Sequence, residues 1–121
     1  MGLQETPTTD QRRAPRVAKT LEISYSSGTT PTAARIDDLS ATGMFVDTHH
    51  PLTVGQSIDF SFQFTETEDD APVRGRGQVV WAEPMVGVGV RFTHMTARDQ
   101  ERIKYFVAAV LFGHVSGNRV H

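Results

Sequence analysis

The chain has 121 residues, of which 38% are hydrophobic and 21% charged, enough for one domain of ordinary size but not for two. Its formal net charge is −2, which excludes the classes of protein that bind nucleic acid or anionic membranes through bulk positive charge. It contains no cysteine, which excludes disulfides, a thiolate nucleophile and every zinc site with sulfur ligands.

The N-terminal part of the chain is polar and basic. Large apolar side chains are few before residue 20, and no acidic residue follows Asp10 until Glu22. A segment of this composition cannot bury enough apolar surface to fold by itself. We therefore predict a disordered tail over residues 1–10 and a flexible basic arm over residues 11–19.

Three arginines stand close together in the arm, as Arg12-Arg13-Ala14-Pro15-Arg16. Pro15 restricts its own backbone and that of the preceding residue toward extended conformations, so the arm is partly pre-shaped. A guanidinium is planar and always charged, and it can pair bidentately with a phosphate or with the O6/N7 edge of guanine. The pattern favours an anion-binding arm, with a solvated basic tail as the alternative.

From Thr20 onward, apolar and polar residues alternate. Leu21, Ile23 and Tyr25 share one face, with polar residues between them, which is the period of a half-buried strand. The predicted strands lie near residues 20–25, 33–39, 44–48, 56–64, 73–81 and 86–92. Short strands at this spacing predict a mainly β chain and an antiparallel barrel of about six strands over residues 20–94.

The end of the chain changes to a helical period. Thr96 is a suitable N-cap, with Asp99 three residues later, and Gly113 is a suitable stop. We predict a helix over residues 96–112, followed by a tail over 113–121. Its core stripe comprises Ile103, Phe106, Val107, Val110 and Leu111.

A second apolar row lies on the same helix. Tyr105, Ala109 and Phe112 follow one another at i, i+4 and i+7. This row predicts a surface for a partner protein or for a homodimer through the helix, unless it is part of a wide stripe that faces the core.

Nothing in the sequence supports catalysis. The histidines lack the helical i, i+4 spacing of a zinc hydrolase, and His49 and His50 are explained by a polar surface turn. No nucleophile elbow and no phosphate-binding loop ending in Gly-Lys-Ser or Gly-Lys-Thr is present. We expect a protein that is not an enzyme and has no catalytic residues, metal or cofactor.

A second polar motif, Asp38-Leu39-Ser40-Ala41-Thr42-Gly43, joins two predicted strands. Asp38 and Ser40 project to one face while Leu39 enters the core. Asp38 can accept from the N–H groups of guanine, and Ser40 can donate to a phosphate or hold an arginine. Gly43 permits a positive φ and a close approach of a ligand. An ordinary hairpin, with Asp and Ser as turn formers, is the alternative.

Together, Arg12-x-x-x-Arg16 and Asp38-x-Ser40-x-x-Gly43 resemble the paired signature of PilZ domains, bacterial receptors for the second messenger cyclic di-GMP. The resemblance covers residues 11–112 and implies a six-stranded antiparallel PilZ-type β-barrel with one C-terminal helix and a flexible N-terminal arm. It also implies that the following residues bind cyclic di-GMP: Arg12, Arg13, Arg16, Asp38, Ser40 and Gly43. In that site the arginines grip guanine and phosphate, and the other three residues form the floor.

The most apolar stretch, residues 103–112, is too short to span a bilayer, and the N-terminus lacks the apolar core of a secretory signal, so we expect a cytoplasmic protein without membrane insertion. The resemblance implies a receptor or adaptor. The ligand would bridge the arginine arm and the barrel, and the ordered arm would signal to a separate, unidentified downstream protein in motility or biofilm regulation. PilZ domains take up the ligand singly or as an intercalated dimer, and the non-basic Gln11 favours the single molecule. A barrel that serves as a protein-interaction scaffold without binding the nucleotide is one alternative. A barrel that binds single-stranded nucleic acid is the other, and it is disfavoured because the phenylalanines alternate at core positions.

Overall fold

Seven antiparallel strands and one helix form the part of the chain that the structure, a computed structural model, describes: residues 15–28, 30–64 and 71–113. The strands are β1 (Arg16–Val17), β2 (Leu21–Ser26), β3 (Thr32–Ser40), β4 (Gly43–Asp47), β5 (Ser57–Phe62), β6 (Val73–Glu83) and β7 (Gly87–Met95), and the helix is α1 (Ala97–Leu111). The predicted tails and arm residues 11–14 lie outside the described residues, apart from Gly113 itself.

Six of the strands close into a barrel in the order β3-β2-β5-β6-β7-β4. Closure comes from the pairing of β4 with β3, in which Leu39 faces Met44. β1 is an extra strand that pairs with the end of β3, so that Arg16 faces Ser40. The predicted six-stranded antiparallel barrel with a single C-terminal helix is confirmed.

Two-residue alternation fills the barrel. Leu21, Ile23 and Tyr25 of β2 are buried, while the residues between them are exposed or half-buried. On β5, Ile58, Phe60 and Phe62 alternate in the same way. Because successive side chains of a strand point to opposite faces, each strand supplies one apolar row to a common core.

Helix α1 packs against β1, β3 and β6. Thr96 caps it as predicted, since its side chain accepts a hydrogen bond of 3.1 Å from the backbone N–H of Asp99. Four residues of the predicted stripe are buried: Ile103, Phe106, Val107 and Val110. The assignment of Leu111 to this stripe is wrong, since this last residue of the helix is 51% exposed. Gly113 has φ +77°, which lets the chain leave the helix.

The N-terminal boundary of the fold differs from the sequence prediction. Residues 16 and 17, which were assigned to the flexible arm, form β1, and Val17 is buried in the core. Two residues are too few to give a detectable alternation, and this strand exists because the free edge of β3 supplies its hydrogen-bond partners. The arm is therefore attached to the barrel directly beside the second polar motif.

Candidate functional site

The second arginine of the arm meets the polar motif at the junction of β1 and β3. Both Nε and Nη2 of Arg16 lie 2.7 Å from Oδ1 of Asp38, and Nη1 lies 3.4 Å from Oγ of Ser40. The side chains of Arg16 and Asp38 are 45% and 35% exposed. One guanidinium thus connects the two polar residues of the motif at a surface that solvent can reach.

Ser40 is completely buried and has a second set of partners. Its Oγ accepts hydrogen bonds from the backbone N–H groups of Gly43, at 3.1 Å, and Thr42, at 3.2 Å. These bonds close the two-residue link between β3 and β4. Both roles that the sequence left open, turn former and arginine holder, are therefore combined in this one hydroxyl.

A bulge in β3 orients Asp38. The register between β3 and β4 shifts between Ile36 and Asp38, so one extra residue is inserted before the motif. Ile36 and Leu39 are both fully buried, with the two aspartates between them facing outward or half-buried. The bulge therefore turns the carboxylate toward β1 and Arg16.

The packing of two strands, and not the backbone conformation, requires a glycine at position 43. Its φ is not among the positive values, which in the described chain are confined to Gly55, Met85 and Gly113. A Cβ at Gly43 would lie 2.4 Å from the carbonyl oxygen of Val90 on β7. Glycine is thus required here by the close approach of two strands, and the positive φ that a glycine permits is not used.

Aromatic side chains continue the outer surface next to Asp38. Asp38 faces Phe45 across β3 and β4, Phe45 faces Gly89 across β4 and β7, and Gly89 faces Trp81 across β7 and β6. The rings of Phe45 and Trp81 have their centroids 5.4 Å apart, and Trp81 is 49% exposed. Sequence reasoning missed this pair, because their adjacency depends on the order of strands in the barrel.

The remaining expectations concern Arg12, Arg13 and the helix surface. The two arginines lie outside the described residues. On α1 the second apolar row is divided, since Tyr105 and Phe112 are each 73% exposed whereas Ala109 is buried. Ala109 therefore belongs to the core-facing side, and the row is not a continuous surface.

The described residues also bear on metal binding and on membrane insertion. Over the three described ranges, no group of three histidine, cysteine or acidic side chains is placed to hold a metal ion. In the same ranges no helix has the length and apolar character that crossing a membrane requires.

The sequence matches the family model of the PilZ domain over residues 10–109. No curated protein matches it.

Solved structures share the fold. The chain is similar to the inhibitor of motility MotI (DgrA) of Bacillus subtilis, with a TM-score of 0.74 and 15% identity over 84% of this chain and 51% of that one. It is also similar to YcgR of Escherichia coli in complex with c-di-GMP, with a TM-score of 0.63 and 14% identity over 84% and 46%. The PilZ domain of CeSA from a cellulose-synthesising bacterium gives 0.60 and 14% over 80% and 98%. The chain thus spans about half the length of MotI and YcgR.

Proposed function

Because this chain belongs to the PilZ domain family, whose proteins bind cyclic di-GMP as a ligand, we propose that it is a receptor for that dinucleotide and transmits its binding to a partner protein. The single observation that carries the proposal is the cluster of Arg16, Asp38 and Ser40. These residues come from both family motifs; Arg16 and Asp38 meet on the outer surface of the barrel, and Ser40 is buried beneath them. PilZ domains are binding modules rather than catalytic ones, which agrees with the lack of catalytic motifs.

The chemistry of the cluster suits the ligand. Cyclic di-GMP carries two phosphodiester charges and two guanines, and a guanidinium can bind either group bidentately. Asp38 accepts N–H donors, which the Watson–Crick edge of guanine supplies, and in this structure Arg16 provides such donors. We infer that guanine replaces Arg16 as the hydrogen-bond donor to the carboxylate of Asp38. The guanidinium of Arg16 then binds a phosphate or the O6/N7 edge of guanine.

The aromatic pair beside the cluster supports the same function. Trp81 is the single tryptophan of the chain. It is half-exposed and packs against Phe45, which faces Asp38 on the neighbouring strand. Purine bases stack on exposed aromatic rings, which contributes about 1–3 kcal/mol per base. A guanine bound at Asp38 would therefore lie beside an apolar surface on which its ring could stack.

The arm completes the proposed site. Arg12 and Arg13 precede Arg16 by four and three positions, and Arg16 itself is paired with Ser40 next to Asp38. We infer that both arginines contact the side of the ligand that faces away from the barrel, while Ser40 and Gly43 form part of the barrel wall on which the ligand lies. Binding then orders the arm over the barrel, and the ordered arm changes the contact with a downstream protein.

The competing functions lack comparable support. A barrel that follows single-stranded nucleic acid needs a series of exposed aromatic rings along a positive groove. Phe60, Phe62, Phe64 and Phe106 are instead buried, and the net charge is −2. A scaffold that does not bind the nucleotide would leave the meeting of the two family motifs at Arg16 and Asp38 without a function.

Isothermal titration calorimetry tests the proposal. Cyclic di-GMP should bind the wild-type protein saturably, and Arg16→Ala and Asp38→Ala should each weaken binding about tenfold or more, because a bidentate contact is worth about 1–3 kcal/mol. The molar ratio would distinguish one ligand from two.

The matched control in this titration is Arg76→Ala. Arg76 also forms an exposed ion pair, in which its Nε lies 2.9 Å from Oδ1 of Asp59, but it lies away from both motifs. This variant should bind like the wild type, and single-stranded DNA and GTP should not saturate any of the proteins. Absence of heat from wild-type protein that is folded, as judged by circular dichroism, would refute the receptor function and favour the scaffold.

A further inference from the structure

An exposed arginine on β7 lies across from Gly43 of the second motif. Arg91 and Gly43 face each other in the pairing of β4 with β7. Phe45 and Gly89 stand two residues further along the same two strands, and they have the same outward orientation. The outer surface that begins at Asp38 and Phe45 therefore extends to Arg91.

The charge of Arg91 is not matched by a carboxylate within the described ranges. Four other arginines, Arg16, Arg35, Arg76 and Arg102, each form an ion pair with an aspartate. Arg91 instead donates from Nη2 to the amide oxygen Oε1 of Gln78, at 2.7 Å. A neutral partner leaves the positive charge available to an anion, and it also holds the guanidinium in one orientation.

Distances along the sheet relate Arg91 to Asp38. Asp38 is separated from Gly89 by two strand spacings, and Arg91 lies two residues beyond Gly89. With a spacing of about 4.8 Å between strands and about 3.4 Å per residue, the Cα atoms of Asp38 and Arg91 are about 12 Å apart. Between them lie the half-buried Phe45 and two glycines, the buried Gly43 and the half-buried Gly89. Guanidinium groups thus border this shallow surface on both sides.

We propose that Arg91 is a second anion-binding residue of the ligand site and contacts a phosphodiester of the dinucleotide on the side opposite Arg16. This inference rests on the proposed function and adds a residue outside both motifs. A cyclic dinucleotide has two phosphodiesters in one ring, so one arginine on each side of the shallow surface matches its two charges. Because Gln78 already orients the guanidinium, little side-chain freedom is lost on binding.

The test is calorimetric titration of cyclic di-GMP into the wild type, Arg91→Ala, Arg91→Lys and Arg76→Ala, each at low and at physiological salt. Arg91→Ala should raise the Kd about tenfold, as expected for a lost charged contact, and should reduce the dependence of Kd on salt. Arg91→Lys should recover part of the affinity, since it keeps the charge but not the planar fork. Arg76→Ala, on the neighbouring strand, should bind like the wild type.

Two results would overturn the inference while the proposed function stands. One is that Arg91→Ala binds cyclic di-GMP with the wild-type Kd. The other is that Arg76→Ala loses as much affinity as Arg91→Ala, which would indicate a general electrostatic effect. If the wild type itself does not bind, the receptor function fails, and the role of Arg91 fails with it. Thermal melts of each variant would establish that it is folded. If Arg91→Ala is not folded, the Kd of Arg91→Lys provides the test.

Discussion

At the site, the fold depends on some side chains much more than on others. Arg16 and Asp38 are partly exposed, and an exposed ion pair contributes only about 0–1 kcal/mol to stability. Ser40 is fully buried and accepts from two backbone N–H groups, and leaving such donors unsatisfied costs about 1–3 kcal/mol. Substitutions at Arg16 and Asp38 should therefore test the proposed ligand binding without unfolding the protein, whereas a substitution at Ser40 should lower stability as well.

Gly43 allows the role of a motif residue in the fold to be measured directly. We expect Gly43→Ala to lower the free energy of unfolding by about 1–3 kcal/mol, because its methyl group would lie 2.4 Å from the carbonyl oxygen of Val90 and would push β4 away from β7. Urea denaturation followed by circular dichroism measures the change.

The matched control for this residue is Gly28→Ala. A Cβ at Gly28 meets no atom within 4 Å, so its stability should stay within about 1 kcal/mol of the wild type. If Gly43→Ala were as stable as Gly28→Ala, the contact with Val90 would not be the reason for glycine in the motif.

Among the elements, α1 is joined to the barrel by a buried polar connection as well as by its apolar stripe. Oδ2 of Asp99 accepts from the backbone N–H of Arg74 at 3.1 Å, and Oδ1 lies 3.1 Å from Nη1 of Arg102. Arg102 donates in turn to the carbonyl oxygen of Ala71, at 2.6 Å. The first turn of the helix is thus fixed to the start of β6, with both side chains about 13–14% exposed.

Removal of this connection should destabilise the protein strongly. We expect Asp99→Ala to reduce the free energy of unfolding by about 3 kcal/mol, because the largely buried guanidinium of Arg102 would lose the carboxylate of Asp99 that balances its charge. The control is Glu101→Ala, whose carboxylate pairs with Lys104 at 3.6 Å on the exposed side of the helix. That variant should change stability by less than about 0.5 kcal/mol in the same urea titration. Equal effects in the two variants would show that the buried pair does not anchor α1.

Local signals made several elements predictable from the sequence, and nonlocal ones did not. Alternation over β5 and the cap at Thr96 are properties of neighbouring residues, so the strand and the start of the helix were predicted correctly. The adjacency of Phe45 and Trp81 depends on strand order, which alternation does not contain. The contact of Gly43 with Val90 arises from the approach of two distant segments. The fold class followed from the sequence, but the direct ion pair of Arg16 with Asp38 and the neighbours of the site did not.

For the molecule as a whole, β1 relates the proposed site to the helix. Val17 is buried in the core while the preceding residue, Arg16, binds Asp38 outside it. The same short strand contacts α1. This segment therefore touches both the barrel and the helix. If the chain is the receptor we propose, a change in the arm would reach a partner protein through this segment, whichever of these surfaces the partner contacts.

The proposed ordering of the arm can be tested in the full chain by limited trypsin digestion. Trypsin cleaves after arginine, and Arg12 and Arg13 lie in the arm. With cyclic di-GMP at about 100 times its Kd, only about 1% of the protein is free, so cleavage at these two sites should slow strongly. Intact-mass spectrometry over time measures the rates. If its Kd is about tenfold higher, about 9% of Asp38→Ala is free at the same ligand concentration, so its arm should be cleaved about ninefold faster than that of the wild type. Cleavage of the wild type that continues at its unliganded rate, under conditions where calorimetry shows saturation, would mean that the barrel binds the dinucleotide without the arm, so the signal would have to leave through the barrel surface instead.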